Sequence, residues 1–73
     1  MSHVIAAELV ANVATVSVSP GDAVTPTDTL VILESMKMEI PVLAEVSGVI
    51  TELAVRHGDV IREGDVIAVI DTA

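Results

Sequence analysis

Hydrophobic residues in this chain fall in short runs broken by polar positions, and no stretch keeps the 3.6-residue apolar period of a helix. The runs are rich in Val, Ile and Thr. They are interrupted at Pro20-Gly21-Asp22, Pro26-Thr27-Asp28, Ser47-Gly48, His57-Gly58-Asp59 and Glu63-Gly64-Asp65, each a cluster of turn-forming residues. The pattern predicts strands near 3–7, 13–18, 30–34, 38–43, 49–55 and 66–71, with shorter pieces around Val24 and Ile61. Pro41 has no N–H to give to a ladder, so the strand that begins at Met38 is expected at a sheet edge or a bulge.

The pattern also repeats. Val18, Gly21, Asp22 and Asp28 recur 37 residues later as Val55, Gly58, Asp59 and Asp65. Val24/Ile61, Leu30/Ile67, Ile32/Val69, Leu33/Ile70, Glu34/Asp71 and Ser35/Thr72 are conservative pairs at the same offset. Upstream, Val13-x-x-Val16-x-Val18 aligns with Ile50-x-x-Leu53-x-Val55, and the shared break in alternation predicts a bulge or bend in both halves. Neither half can bury an aliphatic face alone. The expected fold is all-β: a single domain over residues 1–73, its halves interlocked about a pseudo-two-fold axis as a small sandwich or flattened barrel. Positions equivalent to Met36-Lys37-Met38 fall at and beyond Ala73. The turn at Lys37 and the chain termini are therefore expected at equivalent places at opposite ends.

Composition narrows the function. Hydrophobic residues make up 52% of the 73, yet none is aromatic, so there is no stacking platform for a base or a flat ring. Three basic residues stand against eleven acidic ones, a formal charge of −8, which disfavours nucleic acid and anionic membrane as partners. Cysteine is absent, and His3 and His57 lie far apart without partners at ligand spacing, so no metal site is expected. No apolar run is long enough to span a bilayer and no signal peptide is recognisable. A soluble cytoplasmic protein is the expectation.

Lys37 is the only lysine, and Met36 and Met38 flank it directly. Surfaces ordinarily scatter lysines, so a single one between two thioethers suggests an amine addressed individually by another protein. Leu30–Glu34 and Met38–Val42 read as strands, with Ser35-Met36-Lys37 as the turn between them. Lacking Gly or Asn, that turn is expected to strain the backbone at Met36 or Lys37. A lysine ammonium attacks an activated acyl group only after another protein takes its proton. Lys37 therefore suits an acceptor better than a catalyst, with Met36 and Met38 as an adaptable apolar contact. The plain alternatives are a solvated turn lysine, core-filling methionines, and solvated strand carboxylates at Glu34 and Glu39. Arg56 and Arg62 read as surface charges pairing with nearby acids.

Glu34-Ser35-Met36-Lys37-Met38-Glu39 resembles the attachment motif of biotinyl (biotin carboxyl carrier) domains, where a lysine between two methionines is biotinylated at a hairpin tip. The Gly-Asp turns are similar to those of the biotinyl/lipoyl family, and the likeness runs from about Val4 to Ile70. At this length the chain looks most like the small single-domain biotin carrier proteins of mycobacteria and other actinobacteria. The resemblance implies a flattened β-barrel of two four-stranded antiparallel sheets, with biotin joined by an amide to Lys37. It implies Met36, Met38, Glu34 and Ser35 as contacts for a biotin protein ligase, and Gly21, Asp22, Gly48, Gly58, Asp59 and Gly64 as structural turn residues. It also implies a carrier, not an enzyme in itself. The biotin would be carboxylated at an ATP-dependent biotin carboxylase and would pass its carboxyl group, at a carboxyltransferase, to an acyl-CoA or keto acid.

The nearest rival is a lipoyl carrier with lipoate on the same lysine, although those domains usually have Asp before the lysine and a small residue after it. A rival of another class is an unmodified structural or adaptor β domain. The sequence departs from the family pattern at Ala11-Asn12, opposite Gly48, where Asn12 is expected to take the left-handed conformation, and at Thr27, opposite Gly64.

Overall fold

Alternating apolar positions become strands wherever the turn clusters release them. The computed structural model describes residues 1–72, which form β1 (Ser2–Ala6), β2 (Ala11–Val16), β3 (Ala23–Val24), β4 (Thr29–Ser35), β5 (Met38–Leu43), β6 (Gly48–Leu53), β7 (Val60–Ile61) and β8 (Val66–Asp71). No described helix is long and apolar enough to cross a membrane. Two four-stranded antiparallel sheets result, ordered β1-β8-β6-β3 and β5-β4-β2-β7. Each sheet takes two strands from the first half of the chain and two from the second. The halves are therefore interlocked, as the repeat predicted.

The offset of 37 governs the register in detail. Pairing slips between Val13 and Thr15 in β2 and between Ile50 and Glu52 in β6, the bulges foreseen from the broken alternation. It slips again opposite Leu30 and opposite Ile67. Four carboxylates close equivalent turns: Asp22 and Asp59 accept the backbone N–H of Ser19 and Arg56, and Asp28 and Asp65 those of Thr25 and Arg62, all at 2.8–2.9 Å. Asp59 and Asp65 thus take the main-chain N–H of the two arginines, not their guanidinium groups as expected. Gly21 and Gly58 match as well, with φ of 96° and 90°.

The core obeys the same rule. Leu30 and Ile67, Leu33 and Ile70, Val13 and Ile50, and Val24 and Ile61 are buried as equivalent pairs, and no described residue that is buried is polar. Small branched aliphatics fill the space between the sheets without aromatic bulk.

Three local expectations are corrected. Strands drawn at 13–18 and 49–55 begin one or two residues earlier and end two residues earlier, because Val18 and Val55 reach the core from outside the ladders. Gly48 is not a turn residue: it opens β6 without a positive φ, and a Cβ there would collide with the Asp71 carbonyl and lie 2.7 Å from Ile70 Cγ2. Asn12 is not left-handed. It lies in β2, paired with Glu34 and Val60, and its neighbour Ala11 is buried.

One corner breaks the symmetry. Gly64 has a φ of 91° and its N–H reaches the Ala7 carbonyl at 2.8 Å. Its counterpart Thr27 is β-branched, for which that conformation is strongly unfavourable. The left-handed residue of the corresponding corner is instead Glu45 (φ 66°), whose N–H reaches the Pro26 carbonyl at 3.0 Å.

Candidate functional site

Strand β4 carries the buried Leu30, Val31 and Leu33 through the middle of its sheet and then emerges into solvent at Glu34. Its last residue, Ser35, pairs with Met38, so the turn consists of Met36 and Lys37 alone. The expected three-residue turn is therefore shorter by one, with Ser35 inside the ladder. Both turn residues have positive φ, 52° at Met36 and 65° at Lys37, which makes this a type I′ hairpin. Such a turn matches the twist of the flanking strands but ordinarily takes Asn-Gly. Holding Met and Lys there costs about 1–2 kcal/mol for each residue. The strain expected at one residue falls on both.

Everything at this tip faces water. Met36 is 92% exposed and Met38 65%, and Lys37 is exposed between them. Neither methionine belongs to the core, which removes core filling as their explanation. Glu34 and Glu39 pair directly across β4 and β5, both exposed. Strand β5 is a sheet edge, which accommodates Pro41 opposite Ile32 as the sequence predicted.

A groove of about 500 Å³ opens elsewhere, between the edge strands β1 and β5, where the two sheets do not close on each other. Ile5, Leu9, Ile40 and Val42 line it, with His3 and Glu45 among its polar residues. Sequence reasoning missed it because it arises from two strands that lie side by side only in the folded chain, leaving a gap between them. Lys37 is not part of its wall. The amine therefore stands on an open turn and not in a catalytic pocket, an arrangement suited to being reached by another protein.

Of the turn residues implied by resemblance, Gly21, Asp22, Gly58, Asp59 and Gly64 lie in loops remote in sequence from Lys37 and shape the corners described above. The positions equivalent to Met36 and Lys37 in the second half fall at and beyond Ala73, outside the described residues. What precedes them is visible. Thr72 N–H donates to the Met1 carbonyl at 2.7 Å, in the sheet that does not contain the Lys37 hairpin.

A family profile described as "Biotin-requiring enzyme", covering biotin and lipoyl attachment domains, matches residues 3–70. The chain belongs to the biotin/lipoyl attachment family. Within that family it is 56% identical to the biotinylated protein TB7.3 homolog of Mycobacterium leprae over 70 residues, covering 96% of this chain and 99% of that one. It is 44% identical over 64 residues to the biotin-dependent acyl-coenzyme A carboxylase alpha3 subunit of the same organism, covering 88% of this chain but only 11% of the subunit. The attachment fold itself is shared with the lipoyl domain of the 2-oxoglutarate dehydrogenase complex of Azotobacter vinelandii. That domain superposes with a TM-score of 0.74 at 34% identity, over 85% of this chain and 78% of that one. The shared two-sheet geometry therefore does not choose between biotin and lipoate; the residues at the hairpin must.

Proposed function

We propose that Nζ of Lys37 is the atom that takes the cofactor. The chain is a biotin carrier and its cofactor is covalent biotin, the function supported by the family match and the biotinylated relatives. The observation that carries the assignment to Lys37 is its setting: the single lysine, exposed in a two-residue turn between two exposed methionines.

A biotin protein ligase takes the ammonium proton, and the freed amine displaces the leaving group of an activated biotinyl ester to form an amide. Met36 and Met38 give that ligase an apolar contact, while Glu34 and Ser35 extend the contact onto the β4 end of the hairpin. Biotin, once attached, supplies the carboxyl-carrying chemistry, and the chain supplies reach and orientation. The whole of residues 1–73 acts as one carrier domain with no catalytic residue of its own. It moves between the biotin carboxylase and carboxyltransferase sites of a cytoplasmic acyl-CoA or keto-acid carboxylase. Tethering keeps the group at high effective concentration at both sites. The acidic surface complements partners built to bind ATP and CoA. Lipoate is disfavoured by methionine on both sides of the lysine.

The test is carriage of a carboxyl group. Biotinylated protein mixed with a biotin carboxylase, ATP and labelled bicarbonate takes up label, and Lys37→Arg protein treated identically takes up none. Equal labelling of the two forms would refute the assignment.

A further inference from the structure

The chain contains three sulfur atoms, all in thioethers, and no cysteine, tryptophan or tyrosine. Methionine is therefore where a mild peroxide acts on this protein. All three methionines are on the surface: Met1 is 91% exposed, Met36 92% and Met38 65%. The core holds only Leu, Ile, Val and Ala. Oxidising the methionines thus leaves the packing between the sheets untouched. Two of the three adjoin the one lysine, on either side of it. The two-residue turn closed by the Ser35–Met38 pair leaves no slack through which the tip could withdraw them.

We propose that Met36 and Met38 are a redox-sensitive modification site that gates the chemistry at Lys37. This rests on Lys37 being the biotin acceptor. A sulfur lone pair attacks one oxygen of hydrogen peroxide and the O–O bond breaks. The proton on the bound oxygen passes to the departing hydroxide, and water leaves. Sulfur is oxidised by two electrons to the sulfoxide and the peroxide is reduced. The product replaces an apolar, polarisable group by a strongly polar S=O. A protein that reaches Nζ of Lys37 must cover at least one of these side chains. Covering an S=O without supplying a donor carries the desolvation penalty of any buried, unpaired polar group. The oxidised hairpin therefore accepts biotin poorly while the domain stays folded, and methionine sulfoxide reductase reopens it with a dithiol as electron donor, the dithiol ending as a disulfide and the sulfoxide oxygen leaving as water.

Met1 is a reference inside the same molecule. It is as exposed as Met36 but precedes β1 of the other sheet, beside Asp71 and Thr72. Its oxidation reports the dose of oxidant and should not affect Lys37.

The experiment treats unmodified protein with hydrogen peroxide, removes the excess with catalase, and then adds biotin, ATP and biotin protein ligase. Peptide mass spectrometry should find sulfoxide at Met36 and Met38, with the thermal midpoint unchanged. The initial rate of biotin attachment should fall by about tenfold or more, and methionine sulfoxide reductases of both epimer specificities, supplied with dithiothreitol as reductant, should restore it. A Met36→Leu, Met38→Leu protein, slower from the outset, should show one rate before and after peroxide although its Met1 is oxidised. Equal rates for the oxidised and untreated wild type would overturn the gate alone. So would a loss of rate in the double-leucine protein as large as in the wild type. Untreated protein that takes no biotin on Lys37 would overturn the acceptor assignment, and the gate with it.

Discussion

Glu34 and Glu39 face each other in register across β4 and β5, one pair inside the Ser35–Met38 pair that closes the Lys37 turn. Like charges directly opposite on an exposed ladder are unfavourable, and neither strand supplies a cation between them. Replacing Glu39 by Thr, a strand-favouring residue, should stabilise the domain by roughly 0.3 kcal/mol at low salt. The gain should shrink as salt screens the repulsion. Urea midpoints at two salt concentrations measure this, and a salt-independent difference would mean that repulsion is not its cause.

Strain at the hairpin yields a larger effect. Met36→Asn with Lys37→Gly installs the preferred type I′ pair and should raise stability by about 1–2 kcal/mol. The same protein should take no biotin. Gain and loss together would show that the native turn keeps acceptor chemistry at the expense of stability. A double variant no more stable than wild type would contradict the strained turn.

The unequal corners make a separate prediction. Glu45 holds a left-handed φ of 66° where the other half uses Gly64, so Glu45→Gly should stabilise the fold by about 1 kcal/mol. Gly64→Thr should destabilise it by at least as much, since a β-branched residue is ill suited to φ near 90°. Chemical denaturation of the pair checks both signs; a destabilised Glu45→Gly protein would refute this account of the asymmetry.

Close approach, not a turn, dictates Gly48. A methyl group there meets the Asp71 carbonyl and Ile70 Cγ2, so Gly48→Ala should force β6 from β8 and destabilise by about 1–3 kcal/mol. Amide hydrogen exchange should then rise first along β8, and unchanged protection there would contradict the contact.

Much of this was legible in the sequence because it rests on local chemistry. The Gly-Asp clusters announced the corners, the broken alternation at Val13 and Ile50 announced the bulges, and Pro41 announced an edge. The lone lysine and its methionines marked the turn that the structure exposes. The repeat nevertheless reaches beyond the aligned pairs. Its offset also places β1 opposite β5, with Ile5 equivalent to Val42 and Ala7 to Ala44, but edge strands are half solvated and their sequences have diverged. Ala11 against Gly48 misled for a related reason. Whether a glycine serves positive φ or mere proximity depends on which backbone lies across from it, and that is decided only when the sheets form. The groove between β1 and β5 was invisible for the same reason.

The function rests on one atom in one turn, Nζ of Lys37. Wild-type and Lys37→Arg proteins, each incubated with ATP, biotin and biotin protein ligase, can be cleaved and sequenced by tandem mass spectrometry. The predicted result is a single biotinyl group on Lys37 of the wild type and none anywhere on the arginine protein. Biotin still bound to the Lys37→Arg protein, or a lipoyl group on Lys37 when biotin and lipoate ligases compete for it, would contradict the account.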